Sequence, residues 1–206
     1  MMGPPEIERH PLQPFLPSNA RLLMLGSFPP PRKRWCMDFF YPNHTNQMWN
    51  IFGIVFFGDA ERLVDAEHKT FRQSDIQELL TERGIAIYDT ACAVRRLSGN
   101  ASDKDLESVE KTDIPLLLSK IPHCHNIVCT GQKSFSVFTD DYGVPMPAMG
   151  CFNTFTLSSP PKLGELSAGL RSMKLWRMPS SSRAYPMKLE DKAAYYREMM
   201  KTIGII

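Results

Sequence analysis

The chain has 206 residues, of which 43% are apolar and 22% are charged. These values fit one globular domain with a substantial core and exclude a disordered protein, and no run approaches the roughly 20 apolar residues of a membrane-spanning helix. The formal net charge of +2 gives no strong overall field, so binding to a polyanion would need locally clustered basic residues.

The N-terminal segment and the cysteines bear on the cellular compartment and on whether the chain binds a metal. Glu6 and Glu8 lie among prolines without an apolar core, so we expect no secretory signal. The five cysteines show no paired spacing, and we expect reduced thiols in a cytoplasmic protein. His123, Cys124 and His125 are neighbours, but adjacent strand residues point to opposite faces, so we expect no metal site there.

The first half of the chain alternates between strand and helix patterns. Residues 21–26 form a short apolar run that ends in glycine, which is typical of a buried parallel strand. Residues 46–57 are apolar on one face and predict a helix. Ser74 with Gln77 predicts a capping box at the start of a second helix, which ends at Gly84. Residues 85–89 then form the second strand.

The second half continues this pattern and adds a hairpin. Residues 126–130 predict the third strand, and residues 132–138 predict a short helix. Residues 151–157 and 172–178 are strand-like runs around a turn rich in proline and glycine, which predicts an antiparallel hairpin at a sheet edge. Apolar residues repeat every three to four positions within 187–203, which predicts a terminal helix packed as a lid on the core.

This alternation predicts an α/β fold with a parallel sheet. No linker divides the chain, so we expect a single domain over residues 1–206. In open sheets of this kind, ligands bind beyond the carboxyl ends of the strands. The loops that follow the strands are therefore the expected location of functional residues.

Two consecutive loops follow the first strand. GSFPPPRKRW at residues 26–35 combines a stiff backbone with basic side chains, which suits a phosphate, although a solvated basic turn has the same composition. DFFYPNHTNQMW at 38–49 contains three aromatic residues and then Asn43, His44 and Asn46. Rings can stack on a base and amides can read its edge or hold a water, but core rings and a helix cap explain these residues singly.

Two further loops contain candidate polar residues. Asp89 ends the second strand, where a carboxylate can accept a hydrogen bond from a base or orient a water, although a helix-capping Asp looks the same. MPSSSRAYP at residues 178–186 offers hydroxyls and amides to phosphates, with Arg183 as a groove or backbone contact. A polar surface loop is the alternative.

Eight sequence blocks follow one another in a recognisable order: LGSFP at residues 25–29, FFYPNHTNQMW at 39–49, GIAIYDTACAVRR at 84–96, SDKDL at 102–106, TDI at 112–114, VCTG at 128–131, MPSSS at 178–182 and LEDKAAYYR at 189–197. Together they resemble the uracil-DNA glycosylase superfamily, most closely its branch of hypoxanthine and uracil glycosylases. The resemblance implies a three-layer α/β/α sandwich with a central, mainly parallel four-stranded sheet. It implies excision of a deaminated base from DNA without a cofactor, and we expect a monomer.

The chain departs from the family pattern at several positions. Phe28 stands where other branches place the Asp or Asn that directs the attacking water, and a phenyl ring cannot do this. In the resembling branch, the catalytic asparagine lies in the segment that ends in tryptophan and maps onto Asn46. Asn43, His44 and Thr45 replace the usual His-Pro-Arg before that asparagine, and this difference bears on the preferred base.

The resemblance implies a role for each group of loop residues. Asn46 is expected to position the water, and Asp89 to assist or to contact the base. The base pocket is expected to contain Gly26, Ser27, Phe28, Phe40, Tyr41, His44 and Thr130. Contacts to DNA are expected from Pro29, Pro30, Arg32, Lys33, Pro179, Ser180, Ser181, Ser182 and Arg183.

Two other functions remain open from the sequence. A relative that kept the fold but lost catalysis would bind lesions in DNA without producing abasic sites. A small-molecule hydrolase or transferase on a similar sheet would show neither DNA affinity nor its salt dependence, because fold alone does not determine activity.

Overall fold

The computed structural model describes residues 6–97, 105–159 and 169–206. Its first half contains β1 (Ile7–Arg9), β2 (Leu22–Gly26), α1 (Met48–Phe57), β3 (Val64–Asp65), β4 (Thr70–Phe71), α2 (Gln73–Arg83), β5 (Ile85–Asp89) and β6 (Ala91–Arg96). Its second half contains β7 (Leu106–Lys111), α3 (Ile114–Ser119), β8 (Asn126–Cys129), α4 (Gln132–Tyr142), β9 (Phe152–Ser159), β10 (Gly169–Arg177) and α5 (Leu189–Thr202).

The central sheet has the strand order β5-β2-β8-β10-β9. The first four of these strands are parallel, and β9 pairs with β10 in the antiparallel direction. Every residue of β2 before Gly26 is buried, because a central parallel strand is covered on both faces. The predicted α/β fold with a mainly parallel sheet and an edge hairpin is confirmed.

Helices cover both faces of this sheet. The chain runs from β2 to β5 on one side and then crosses to β8 on the other, and right-handed crossovers place the intervening helices on opposite faces. In agreement, α5 packs against α1, whereas α3 packs against β9 and α4 against β8. This arrangement is a three-layer α/β/α sandwich, and the chain reverses direction across the sheet at β2.

The N-terminal ends of α1 and α2 differ from the sequence prediction. The capping box at Ser74 is wrong: α2 begins at Gln73, so Ser74 lies inside the first turn, and no side chain caps this end. The predicted end is confirmed, since Gly84 adopts the left-handed conformation (φ 66°) that terminates the helix. α1 begins at Met48, two residues later than predicted, with Gln47 at the N-cap position; the Asn46 side chain, one residue earlier, accepts from the Met48 amide.

The C-terminal elements are longer or shorter than predicted by a few residues. The pairs of β9 and β10 extend from Phe152 with Trp176 to Ser159 with Gly169, and the turn between the strands lies outside the described residues. α4 continues to Tyr142, and α5 ends at Thr202. Among the described helices, none is long and apolar enough to cross a membrane.

A second, small sheet was not predicted from the sequence. It has the order β1-β6-β7, with β1 antiparallel to β6 and β6 antiparallel to β7. β6 follows directly on β5, so this sheet continues from the end of the central one. It brings the N-terminal segment next to the carboxyl end of β5.

Candidate functional site

A cavity of about 870 Å³ opens at the carboxyl ends of the central strands, and we call it the strand-end cavity. Three of the residues that end or follow these strands line it: Gly26 at the end of β2, Asp89 at the end of β5 and Thr130 after β8. They are neighbours because Gly26 pairs with Asp89 and the Thr130 amide donates to Leu25 O at 3.1 Å. The topology therefore gathers three separate loops around one space, as expected where the strand order reverses.

Asp89 provides a carboxylate in the wall of this cavity. The residue is only 8% exposed, and its Oδ2 lies 2.9 Å from His10 Nε2. Its Oδ1 lies against the backbone of Gly26, where a Cβ atom would overlap with it. Glycine at position 26 is therefore required for Asp89 to hold this position.

Asn46 also lines the cavity, in the turn that leads into α1. Its Oδ1 accepts a hydrogen bond from the Met48 amide at 2.9 Å, which ties the side chain to the first residue of the helix. Only the oxygen of the side-chain amide can accept from an N–H, and this bond therefore defines the orientation of the amide group. Of the two positions that the sequence left open for Asn46, the helix N-cap belongs to Gln47, and Asn46 lies one residue before it among the residues that line the cavity.

Aromatic rings form the apolar part of the cavity. Phe28, Phe40 and Tyr41 all line it. The Tyr41 hydroxyl lies 2.9 Å from Thr130 Oγ1, and burial raises the pKa of Tyr41 well above its ordinary value, with further contributions that include Tyr196 and Asp89. Tyr41 has a φ of 50°, a conformation that costs a non-glycine residue about 1–3 kcal/mol and that often occurs at ligand sites.

Residues 179–183, here called the serine loop, also line the cavity, through Ser180, Ser181, Ser182 and Arg183. The Ser181 carbonyl accepts from the Gln47 amide at 2.9 Å, and the Ser182 carbonyl accepts from Lys192 Nζ at 2.7 Å. Lys192 is fully buried and also donates to Gln47 Oε1 at 2.8 Å; its burial lowers its pKa. These bonds hold the serine loop next to the turn that carries Asn46.

Most of the charged residues that line the cavity are basic, among the residues that the structure describes. Arg34, Arg96, Lys133 and Arg183 contribute positive charge, and Asp89 contributes the negative charge. Arg96 bonds to the Pro29 carbonyl at 2.5 Å and to the Glu8 carboxylate at 2.9 Å, and it lies over the Phe28 ring. The cavity is therefore locally electropositive in a chain of low net charge, which suits an anionic ligand.

Four of the residues predicted for the site lie outside the strand-end cavity. His44 is exposed and stacks on Phe71, with ring centroids 5.7 Å apart. Arg32 is exposed, pairs with Asp38 and covers the Trp35 ring. The exposed Lys33 and the buried Pro179, whose carbonyl accepts from the Tyr196 hydroxyl, do not line the cavity either.

Several residues near the cavity were missed by the sequence analysis. Leu12, Arg96, Gln132 and Lys133 line it, and His10 and Lys192 hold lining residues in place. The position of Gln132 and Lys133 directly after the third strand was a usable signal, since ligands gather at strand ends. Within the described ranges, no three His, Cys, Asp or Glu side chains are grouped to hold a metal ion.

Comparison with solved structures supports the fold. No protein-family model matches the chain, and no curated protein matches it in sequence. Among solved structures, the chain is similar to a solution NMR structure from Methanosarcina acetivorans, that of a "putative Uracil DNA glycosylase". The identity is 19%, the TM-score is 0.60, and the match covers 97% of this chain and 99% of the other. The chain therefore has the mixed α/β fold of that protein over nearly its whole length.

Proposed function

We propose that this protein belongs to the uracil-DNA glycosylase superfamily and acts as a DNA glycosylase of base excision repair. Its substrate would be a deaminated base, uracil or hypoxanthine, flipped out of DNA. The observation that carries this proposal is that the Asn46 amide and the Asp89 carboxylate line one cavity of about 870 Å³, together with three aromatic rings. The shared fold with a protein named as a glycosylase supports the same reaction.

The reaction hydrolyses the N-glycosidic bond between the base and C1′ of deoxyribose. The bond breaks as the base departs with its electron pair, and a water adds its hydroxyl to C1′ while the base takes up a proton. The transition state combines an oxocarbenium-like sugar with a base that gains negative charge. The site therefore needs a held water, hydrogen bonds to the base and fixed dipoles near the developing charges.

Asn46 is suited to hold the water. Its Oδ1 is already ordered by the Met48 amide, and a carbonyl oxygen has a second lone pair with which it can accept from a water. An asparagine whose amide is ordered before the substrate binds needs no reorganisation during the reaction. The turn that carries it is itself held by the serine loop through Gln47.

Asp89 is suited to read the base. An ionised carboxylate only accepts hydrogen bonds, so it favours a base that presents an N–H. Uracil has this donor at N3 and hypoxanthine at N1, whereas cytosine and adenine present an unprotonated nitrogen at the corresponding edge. Phe28, Phe40 or Tyr41 supplies a ring on which the flipped base stacks.

The cations at the cavity and the serine loop are suited to hold the DNA backbone. The exposed Ser182 and Arg183 can reach a strand, and Arg34 and Lys133 add positive charge at the cavity. Flipping costs least at a mismatched or unpaired base, so we expect the highest activity on such substrates.

The test is a panel of oligonucleotides with uracil, hypoxanthine or thymine opposite guanine, and the same strands unpaired. Incubation followed by alkaline cleavage at abasic sites measures excision. Binding of lesions without abasic sites would favour an inactive relative, and absence of DNA binding would favour a small-molecule enzyme. Either outcome would contradict the proposal.

Matched variants test the two roles. Asn46→Ala and Asp89→Ala should each lower the single-turnover excision rate by roughly 100-fold or more, as removal of a fixed polar group does in other enzymes. Asn19→Ala and Asp75→Ala remove the same groups outside the cavity and should leave the rate unchanged. Equal rates for Asn46→Ala and wild type would refute the role of Asn46.

A further inference from the structure

His10 lies behind the wall of the strand-end cavity, at the point where β1 ends. Its amide donates to Cys92 O at 2.8 Å, which continues the pairing of β1 with β6. Its side chain is only 2% exposed. The imidazole packs against the rings of Phe28, Tyr88 and Phe40, with centroids 5.3, 4.6 and 6.1 Å away.

Both ring nitrogens of His10 have partners. Nε2 lies 2.9 Å from Asp89 Oδ2, and Nδ1 lies 3.1 Å from the Leu12 amide and 2.9 Å from the Leu12 carbonyl. In the neutral ring, Nδ1 accepts from the Leu12 amide, so the proton is on Nε2. In the protonated ring, Nδ1 donates to the Leu12 carbonyl instead. In both states Nε2–H donates to the Asp89 carboxylate.

The two oxygens of Asp89 have different surroundings: Oδ2 bonds to His10, and Oδ1 lies against the backbone of Gly26. In the described part of the chain, two buried side-chain atoms lack a hydrogen-bond partner, Ser108 Oγ and Arg171 Nε, and Asp89 Oδ1 is not one of them. The carboxylate is therefore fixed by its inner oxygen while the residue faces the cavity. Since His10 donates to Oδ2, Oδ1 remains available to accept a hydrogen bond from a ligand.

We infer that His10 is a positioning residue that orients Asp89 to accept a hydrogen bond from the N–H of the extruded base. The inference rests on the proposed function and extends it to a residue of the N-terminal segment. Without the imidazole donor, the carboxylate can rotate about its Cα–Cβ and Cβ–Cγ bonds and loses a partner inside an aromatic environment. Selection of bases with an N–H would then weaken together with the excision rate.

Three substitutions separate positioning from a structural role. His10→Gln places an amide donor near the Nε2 position, His10→Asn places one near Nδ1 beside Leu12, and His10→Leu provides bulk alone. His123→Leu, at an exposed histidine outside the cavity, is the control. Circular dichroism and urea unfolding define conditions in which each variant is folded, and single-turnover rates are measured only there.

The readout is the rate of excision of the base that the wild-type protein removes, and of its N-methylated form, 3-methyluracil or 1-methylhypoxanthine. We expect His10→Leu and His10→Asn to lower the rate on the natural base by roughly 10- to 100-fold, the range for one hydrogen bond to a charged group. His10→Gln should recover most of this loss. The rate ratio between the natural and the methylated base should shrink in His10→Leu, because the contact that methylation removes is already weakened.

The outcomes distinguish this inference from the proposed function. Excision by the wild type with an unchanged rate ratio in His10→Leu would overturn the role of His10 and leave the glycosylase assignment intact. Rescue by Asn rather than Gln would show that the contact to Leu12 matters and would also overturn it. A wild-type protein that excises none of the bases in the panel would refute the proposed function and the inference together.

Discussion

Replacement of Lys192 by methionine tests how the serine loop is held at the cavity. Lys192 Nζ donates to Ser182 O at 2.7 Å and to Gln47 Oε1 at 2.8 Å, and the side chain is fully buried. Methionine is unbranched, adapts to irregular spaces and has no donor, so the packing is largely kept while both hydrogen bonds are lost. The variant therefore removes both Lys192 bonds and leaves the bond from the Gln47 amide to the Ser181 carbonyl as the remaining connection between the loop and the turn before α1.

Two opposing contributions determine the effect on stability. A hydrogen bond from a charged donor contributes about 1.5–3 kcal/mol, so the loss of two destabilises the fold by about 3–6 kcal/mol. Removal of a buried charge relieves a desolvation cost of several kcal/mol, which is the same cost that lowers the pKa of Lys192. We expect the free energy of unfolding to fall by about 1–2 kcal/mol and the affinity for DNA to fall further, since a loosened loop must be ordered on binding.

Urea unfolding at two pH values and DNA titration measure these effects. The pKa of Lys192 is lowered in the folded state. At pH values between the folded-state pKa and the ordinary pKa of 10.5, the unfolded chain therefore binds more protons than the folded chain. The wild-type free energy of unfolding should therefore rise relative to Lys192→Met as the pH increases towards 10.5. Lys201→Met, at an exposed lysine of the same helix, is the control. An unchanged affinity for DNA in Lys192→Met would refute the view that this ammonium holds the loop.

Three further substitutions give sharp expectations. Gly26→Ala places a Cβ against Asp89 Oδ1, so excision should fall by roughly 10- to 100-fold while circular dichroism stays native; full activity would mean that Asp89 needs no defined position. Tyr41→Phe removes the bond to Thr130 and should lower the free energy of unfolding by about 1 kcal/mol in urea, and no loss would show that the hydroxyl is not bonded. Arg183→Ala should reduce the slope of log affinity against log salt concentration by about 1, and an unchanged slope would exclude a phosphate contact.

The sheet could be predicted from the sequence because its central strands are buried on both faces. Continuous apolar runs at β2, β5 and β8 are the pattern that such burial requires. The small sheet could not be predicted, since β7 reads LESVEK and exposes most of its side chains. A strand of that composition is stabilised by its pairing with β6, which no local pattern reveals.

The same distinction separates the site residues that were predicted from those that were missed. Asp89 and Thr130 follow apolar runs, so their place at the strand ends can be deduced. His10 meets Asp89 across 79 residues of chain, and Lys192 meets Gln47 across 145. Neither is close in sequence to a strand end of the central sheet, and their relevance depends on side-chain contacts that exist only once the chain is folded.

Three polar side chains of the cavity share one feature that bears on catalysis: each is bonded to the protein on one side. Asn46 is held by the Met48 amide, Asp89 by His10, and Tyr41 by Thr130. A site built from ordered dipoles stabilises developing charge without reorganisation during the reaction, and its ordering is completed when the chain folds. Extrusion of the base from DNA already costs a few kcal/mol of binding energy. A site that is ordered in advance needs none of the remaining binding energy to order its own side chains, so more of it can stabilise the transition state of cleavage. The anchoring residues are therefore expected to affect the excision rate more than the affinity for DNA.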